Sequence, residues 1–368
     1  MTEDQDLSPQ EVIELMHTAD DAMRRTLGKM LAPRAMRQGG DEHIDELRKL
    51  LAVASPHHVR DIVLHRMRPK KLFVGRGLSF MGAIVAKTEA ARLTSKGSLP
   101  GWILSNKQSA YEFMDILDIR RPRTPDSAKP MSEIELTPGT VIKPTAGSGS
   151  KGVYLVFDSD DIFHAKDGRQ FSDKSSLERH AQAILKDRSS ATSAKRDSWS
   201  TEELVLFDRK NRRPAVDLKF WSFYGKIAFI TEISRHPETR WDFWSPTGER
   251  IEAPGRWKAT RYHGVGFEPE HLELVKRISS EIPYPFMRID MLRGEDELVF
   301  GEFTPRPGSS NVFTPEWDRK MGEMWALAEI RLQQDLLKGK DFAAYKVFQE
   351  RRRRREKAER AAKRRKKK

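Results

Sequence analysis

An α+β body is the fold class this sequence predicts, and three features predict it. A strand, a glycine-rich loop and a second strand follow one another directly over residues 140–157, TVIKPTAGSGSKGVYLVF. Two hairpins supply further paired strands, one over 217–231 turning at Tyr224-Gly225-Lys226, the other pairing 287–292 with 298–303 around Gly294. Stretches with apolar residues at helical spacing lie before and between them.

The loop also fits a GxGxxG pattern through Gly147, Gly149 and Gly152. A dinucleotide or P-loop turn must open a helix whose N-terminus receives the phosphates. Here Val153, Tyr154, Leu155, Val156 and Phe157 follow, β-branched or aromatic and without an N-cap, so they read as a strand. A glycine flap between two strands, with Lys143 just upstream, suits covering a nucleotide triphosphate, because glycine lets backbone N–H groups approach phosphate oxygens and lysine adds a point charge. The plain alternative is a glycine hairpin beside an exposed lysine.

Residues 8–31 predict a helix opened by the capping box of Ser8 and Glu11 with Pro9 between them; Val12, Leu15, Met16, Ala19, Met23 and Leu27 keep its period. Residues 41–54 repeat it with Ile44, Leu47, Leu50 and Leu51. Residues 71–74 read as a short strand and 80–93 as a helix. Residues 106–119 form a helix that stops before Pro122, and a proline-rich connector leads to the strand carrying Lys143. The charged, Ser-rich stretch 158–201 holds one helical patch at 177–185, and 204–207 is strand-like.

Composition sets the outer bounds. At 368 residues with 38% hydrophobic content, 18 Phe and 8 Trp, the chain holds two or three packed units rather than a disordered one. It has no cysteine, which excludes disulfides, thiolate metal sites and a cysteine nucleophile. The acidic start and the short apolar runs are unlike a signal peptide or a membrane span, so a cytoplasmic protein is expected. The net charge is +13, of which residues 351–368 supply +11. The basic character therefore belongs to the tail, as a solvated helix, a dock for an anionic membrane surface or a nonspecific nucleic-acid contact; the lack of interleaved aromatics argues against base stacking. His57, His58, His263 and His271 show no metal-ligand spacing with acids.

The carboxylates carry the sharpest geometry. Arg288 and Asp290 lie two apart and share a strand face, as do Glu302 and Thr304 on the returning strand. A hairpin centred on Glu295 or Asp296 sets Asp290 directly or diagonally against Glu302; a one-residue slip separates them. Two hard oxygen ligands on neighbouring strands suit Mg²⁺, and Arg288 beside them would neutralise a transferring phosphoryl group. The plain alternative is a solvated polar face balanced by an ion pair.

From about residue 106 to 325 the chain resembles the ATP-grasp superfamily, and within it the TupA-like branch named after teichuronopeptide biosynthesis. The matching pieces are NKQSAYEFMDILDIRRP, VIKPTAGSGSKGV, EELVLF, VDLKFWSFYGKIAFI, RHPETRWDFW, MRIDML, VFGEFTPRPGSSN and PEWDRKMGEMW, in the family's order. The resemblance implies an ATP-grasp fold, two α+β lobes clamping ATP. The expected organisation is a helical extension at 1–68, a small α/β domain at 69–139, the ATP-grasp domain at 140–330 with lobes 140–207 and 208–330, and a helix with basic tail at 331–368.

The resemblance also implies roles. Lys107, Lys143 and Lys219 would contact ATP phosphates beneath a flap containing Gly147, Ser148, Gly149, Ser150 and Gly152. Glu202, Glu203 and Leu204 would line the adenine slot, and Arg288 would sit at the transferred group. Asp290 and Glu302 would hold Mg²⁺ with Thr304, which stands where the usual pattern has Asn; a hydroxyl is the poorer ligand, and Asn311 would replace it only if the PGSS turn folds back. Arg235, Arg240 and Arg306 are candidates for an anionic substrate, while Trp241 and Trp244 read first as core.

The implied activity is an ATP-dependent carboxylate–amine ligation through an acyl phosphate, on a cell-envelope polysaccharide or its precursor. Partners would be a carboxylate, an amine and, through the tail, an anionic membrane surface. The alternatives are a kinase acting on a sugar hydroxyl and a degenerate nucleotide fold serving as a basic-tailed binding protein.

Overall fold

The computed structural model describes residues 7–75, 77–94, 99–124, 128–145, 150–187, 196–256, 260–308 and 312–365. They form two compact units, one of 1–89 with 313–326 and the other of 90–312 with 327–368.

The first unit is helical: α1 (Pro9–Met30), α2 (Pro33–Gln38), α3 (Asp41–Val53), α4 (Leu64–Met67) and most of α5 (Phe80–Arg92). Ser8 caps α1 through the expected box, its Oγ accepting from Glu11 N while Glu11 accepts from Ser8 N. Leu27, Leu47, Leu51 and Met67 close a core around which the helices pack. The strand expected at 71–74 does not form. Lys71 takes a left-handed φ of 52° at the end of a 3₁₀ turn, Leu72 drops into the helical core, and Gly75 N–H bonds Leu51 O. His57 and His58 both bond Asp20, pairings across 37 and 38 residues that spacing alone did not reveal. Because Ser55 N–H donates to His58 Nδ1, His58 Nε2 carries the proton that Asp20 accepts.

The second unit is built on two sheets, one antiparallel throughout and the other antiparallel except for one parallel edge pair. The first has the order β4-β3-β2-β1-β5, from β1 (Thr140–Pro144), β2 (Tyr154–Asp158), β3 (Asp161–His164), β4 (Gln170–Phe171) and β5 (Trp199–Glu203). Three of these strands lie in the charged stretch where only a helix was expected. That helix is present as α7 (Lys174–Lys186), capped by Asp173, and its Leu177 and Ala181 cover Ile142, Tyr154 and Trp199 on one face of the sheet.

After the ribbon of β6 (Leu206–Asp208) and β7 (Arg213–Pro214), the second sheet runs β11-β10-β9-β8-β12-β13. Its strands are β8 (Val216–Phe223), β9 (Lys226–Ser234), β10 (Arg240–Trp244), β11 (Thr260–Arg261), β12 (Met287–Arg293) and β13 (Leu298–Thr304). Helix α8 (Pro269–Ser280) packs on β8, β9 and β12. Helix α6 (Lys107–Ile116) lies against β13 and α10 (Ala343–Arg365), where Phe113 meets Phe303, Tyr345 and Phe348 edge-on or tilted. Helix α9 (Pro315–Leu337) belongs partly to each unit.

Candidate active site

Strand β1 divides its residues by alternation. Ile142 turns to α7, whereas Val141 and Lys143 take the other face, shared with Glu202, which pairs with Val141 on β5. Leu155, Phe163 and Leu204 extend that face as an apolar floor with Val141. Above the floor, Lys143 Nζ and Lys107 Nζ both bond the buried Glu202 carboxylate, Lys107 at 2.6 Å from Oε2. Lys107 arrives at the first turn of α6, and Tyr111, one turn on, donates its hydroxyl to the same oxygen at 3.2 Å.

Burial pushes the Glu202 carboxyl up, and Lys143 and Lys107 overcome it, leaving a net fall below the usual range. Lys107 drops to about 8, through burial first and then the repulsion of Lys143. Two cations thus share one acid at the edge of an apolar floor, and the surplus positive charge suits an anionic ligand.

The second cluster sits on β12, β13 and β8. Asp290 is directly opposite Glu302 on one side and Lys219 on the other; Arg288 is opposite Thr304 and Trp221. The register holds because an irregularity after Asp290 lets Met291 face Phe300, skipping Gly301, which comes so close to Asp290 O that a Cβ would lie 3.0 Å from it. Arg288 grips Asp290 with both arms of its fork, Nε and Nη2 each at 2.7 Å. Lys219 Nζ bonds Asp290 as well.

Burial raises the Asp290 carboxyl, but Arg288 and Lys219 outweigh it and hold the group well below the ordinary carboxylate range. Glu302 goes the other way. Surrounding protein and the Asp290 charge push it up, although 63% of its side chain stays open. A carboxylate raised by an ionised neighbour is the arrangement a divalent cation relieves, and hard oxygens on adjacent strands fit Mg²⁺. Thr304 Oγ1 accepts from Arg288 Nη2 at 3.0 Å and donates to Glu302 at 3.4 Å, so it orients the two charged groups. Tyr111 ties the clusters together: burial, Glu202 and more weakly Glu302 all raise its phenol.

Other expected site residues are placed differently. The Glu203 carboxyl lies on the face away from Lys143, bonded by Arg120 and Arg123, and the Leu204 N–H is taken by Gly139 O, so neither offers these groups to the apolar floor. A cavity of about 1000 Å³ lined by Arg120, Arg121, Arg123, Thr140 and Glu203 therefore opens on that far side. Arg235 is tied to Asp217 at 2.8 Å on the Lys219 face. Arg240 pairs with Ser234, on the opposite face, with its guanidinium over the Tyr262 ring. Arg306 stacks on Trp102 at 4.2 Å. Trp244 is core and donates to the buried Glu232, while Trp241 is half-buried. His236 packs on Phe157 and Phe163, which brings its loop across to the first sheet. Gly147, Ser148, Gly149 and Asn311 lie outside the described residues, whereas Ser150 and Gly152 both take positive φ beside β2.

Tyr111, Asp217 and Trp221 were missed. Trp221 was legible by alternation from Lys219; Tyr111 was not, because only packing brings α6 to β5.

Two sheets, a lysine pair on one and an Arg–Lys–diacid cluster on the other, are in keeping with the ATP-grasp class. The TupA-like ATPgrasp family model matches residues 87–326, and the chain belongs to that family. No curated protein matches the chain. Among solved structures it is similar to D-alanine–D-alanine ligase from Bacillus anthracis, with 15% identity, a TM-score of 0.38 and coverage of 63% of this chain and 69% of that one. It is also similar to the ATP-grasp ligase PsnB complexed with a phosphomimetic precursor variant, Mg and ADP (12%, 0.33, 81% and 73%), and to D-cycloserine synthetase DcsG (16%, 0.32, 62% and 70%). The fold assignment rests on the family match.

Proposed function

We propose that this ATP-grasp enzyme is a carboxylate–amine ligase that works through an acyl phosphate. The observation that carries the reading is the direct pairing of Asp290 with Glu302 beside Arg288 and Lys219 on one sheet face. The adenine lies on the floor of Val141, Leu155, Phe163 and Leu204, with Lys107 and Lys143 turning from Glu202 to the phosphates. Asp290 and Glu302 would hold Mg²⁺, which would supply positive charge to offset that of the phosphates. Arg288 and Lys219 neutralise the γ-phosphoryl group as the substrate carboxylate oxygen attacks phosphorus and ADP leaves. The amine then attacks the acyl carbon, phosphate departs, and the amine proton passes to phosphate or solvent. No protein nucleophile is needed, in keeping with a site built of cations and carboxylates.

The family's name points the substrate to a cell-envelope polysaccharide or its precursor, a uronic acid joined to an amino acid. Arg235 and Arg306 are its proposed anchors, and the α10 tail is proposed to hold the enzyme at an anionic membrane surface. Among the described residues no helix is long and apolar enough to cross a membrane.

Purified protein with ATP and candidate uronic acids, with and without an amine, tests the reaction. Phosphate and amide appearing only with both partners support ligation; a stable phosphate ester formed without the amine would replace it with a kinase.

A further inference from the structure

Glu202 is the trapped member of the lysine cluster. Its side chain is 7% exposed, against 24% for Lys143 and 40% for Lys107, so both cations have solvent beside them and the acid they share has almost none. When the lysines turn to phosphate oxygens, they leave a carboxylate that cannot follow. A buried charge stripped of its partners is among the costliest groups a protein can hold.

A third donor reaches the same acid. Tyr111 follows Lys107 by four residues, so both project from one face of α6, and the Tyr111 hydroxyl donates to Glu202 Oε2 at 3.2 Å. Unlike the lysines, this ring is held in place. It is buried, edge-on to Phe300 at 6.3 Å, with the Arg121 guanidinium 4.9 Å from its centre. Arg121 is in turn gripped by Asp115 through Nε at 2.7 Å and Nη2 at 2.9 Å. The phenol is pushed well above its ordinary value, by burial first and then by Glu202, so the hydroxyl keeps its proton. A phenylalanine would make the same ring contacts; the oxygen adds the bond to Glu202.

We propose that Tyr111 is a positioning residue whose hydroxyl keeps Glu202 bonded when Lys107 and Lys143 leave it for the nucleotide phosphates, which lowers the cost of that exchange. The inference rests on the reading of both lysines as phosphate ligands. An acid whose partners come and go needs one donor that stays.

The role has a proton signature. Burial pushes the Glu202 carboxyl up, while Lys143 on β1 and Lys107 on α6 hold it down. Its same-face neighbours on β5, Ser200 and Leu204, carry no charge, and Arg121 and Glu302 act on Tyr111 with opposite sign. Once the lysines turn away, the Tyr111 hydroxyl still favours the ionised acid. Without it burial prevails, and Glu202 takes up a proton as ATP binds. Uptake on binding means that affinity rises as pH falls, so the defect left by removing the hydroxyl should shrink toward the acid end.

Calorimetry of Mg-ATP and of adenosine, in buffers of different ionisation enthalpy, tests this in the full-length protein over pH 5.5–7, where Lys107 is largely charged. Tyr111→Phe should weaken ATP about tenfold at pH 7, because losing the last donor costs more than losing one of three, and should leave adenosine unchanged. At pH 6.5 this variant should take up a fraction of a proton more than the native protein. Glu202→Gln cannot titrate, so adding Tyr111→Phe to it should bring no further uptake. Native ATP affinity in Tyr111→Phe, equal loss of ATP and adenosine, no added uptake, or added uptake that persists beside Glu202→Gln would each overturn the proposal while leaving the nucleotide reading intact. A native protein that binds no ATP refutes that reading, and the proposal falls with it.

Discussion

The two charged clusters of the second unit use the same residue types and balance them differently. On β1 and β5, Lys107 and Lys143 share a single acid, Glu202, and one positive charge is left over. On β8, β12 and β13, Arg288 and Lys219 meet Asp290 and Glu302, with Asp217 beside Lys219 already paired to Arg235, and the formal charge closes to zero. In each cluster one member is shifted, first by burial and then by its like-charged neighbour: Lys107 is pushed down to about 8, and Glu302 is pushed up. A surplus cation suits an anion, and a carboxylate raised beside an ionised one suits a metal. Magnesium-bound triphosphate, the ligand proposed above, would satisfy both.

Changes to the balanced cluster should have the largest effects. Asp290→Asn keeps the shape and removes the charge that holds Arg288 and Lys219, so ADP release should fall on the order of 10³-fold. Residual turnover within tenfold of native would break the comparison, since the cluster would then be structural. Thr304→Val removes the hydroxyl that orients Arg288 and Glu302 while leaving both in place. Turnover should fall roughly 10-fold, as is typical when a supporting hydrogen bond is lost, with ATP affinity nearly unchanged.

The surplus cluster should reveal itself through protons. Lys107 is about half protonated at pH 8 in the free protein, and nearby phosphates favour its charged form. ATP binding at pH 8 should therefore take up as much as about half a proton, seen as calorimetric enthalpies that vary with buffer. The uptake should vanish at pH 6.5, where Lys107 is already charged, and in Lys107→Arg. The sign for stability follows too: with the folded value below the ordinary one, the unfolded chain binds more protons between about 8 and 10.5, so the free protein gains stability as pH rises through that window. Uptake that persists in Lys107→Arg would move the surplus charge elsewhere.

The smallest effect should come from the most conspicuous charge. Deleting 351–368 removes the Arg355–Glu112 ion pair at the edge of α6, a contact worth about 0–1 kcal/mol at a partly open surface. ATP turnover should stay within about twofold, while binding to anionic vesicles should drop if the tail docks there.

Much of the site was legible because strands alternate. Two-residue spacing placed Arg288 with Asp290 and Glu302 with Thr304, but the turn alone would set Asp290 opposite Gly301; the irregularity after Asp290, which the sequence did not reveal, brings the pairs opposite one another. Helix α1 was legible from its capping box and period, and α7 from its apolar spacing. The strand expected at 71–74 failed because Leu72 is held by the helical core, a tertiary demand that β-propensity does not register. Strands β3, β4 and β5 hid in a charged segment, since His164, Thr201 and Glu202 are polar yet buried, and only packing against their neighbours makes these stretches strands. Glu203 shows the same limit: it sits beside Glu202 in sequence, yet a strand sends neighbouring side chains to opposite faces.

The sequence by itself determined the inventory and its local geometry: the glycine loop between strands, the acids on a shared face, the basic run confined to the tail. Local rules suffice there because backbone sterics and two- or 3.6-residue periods act over a few residues. Only the tertiary structure decided that Lys107 and Tyr111 from α6 would meet Glu202 and that Glu203 would turn away. Those outcomes depend on how helices and sheets bury their apolar faces against one another, and that free energy belongs to no single segment of the chain.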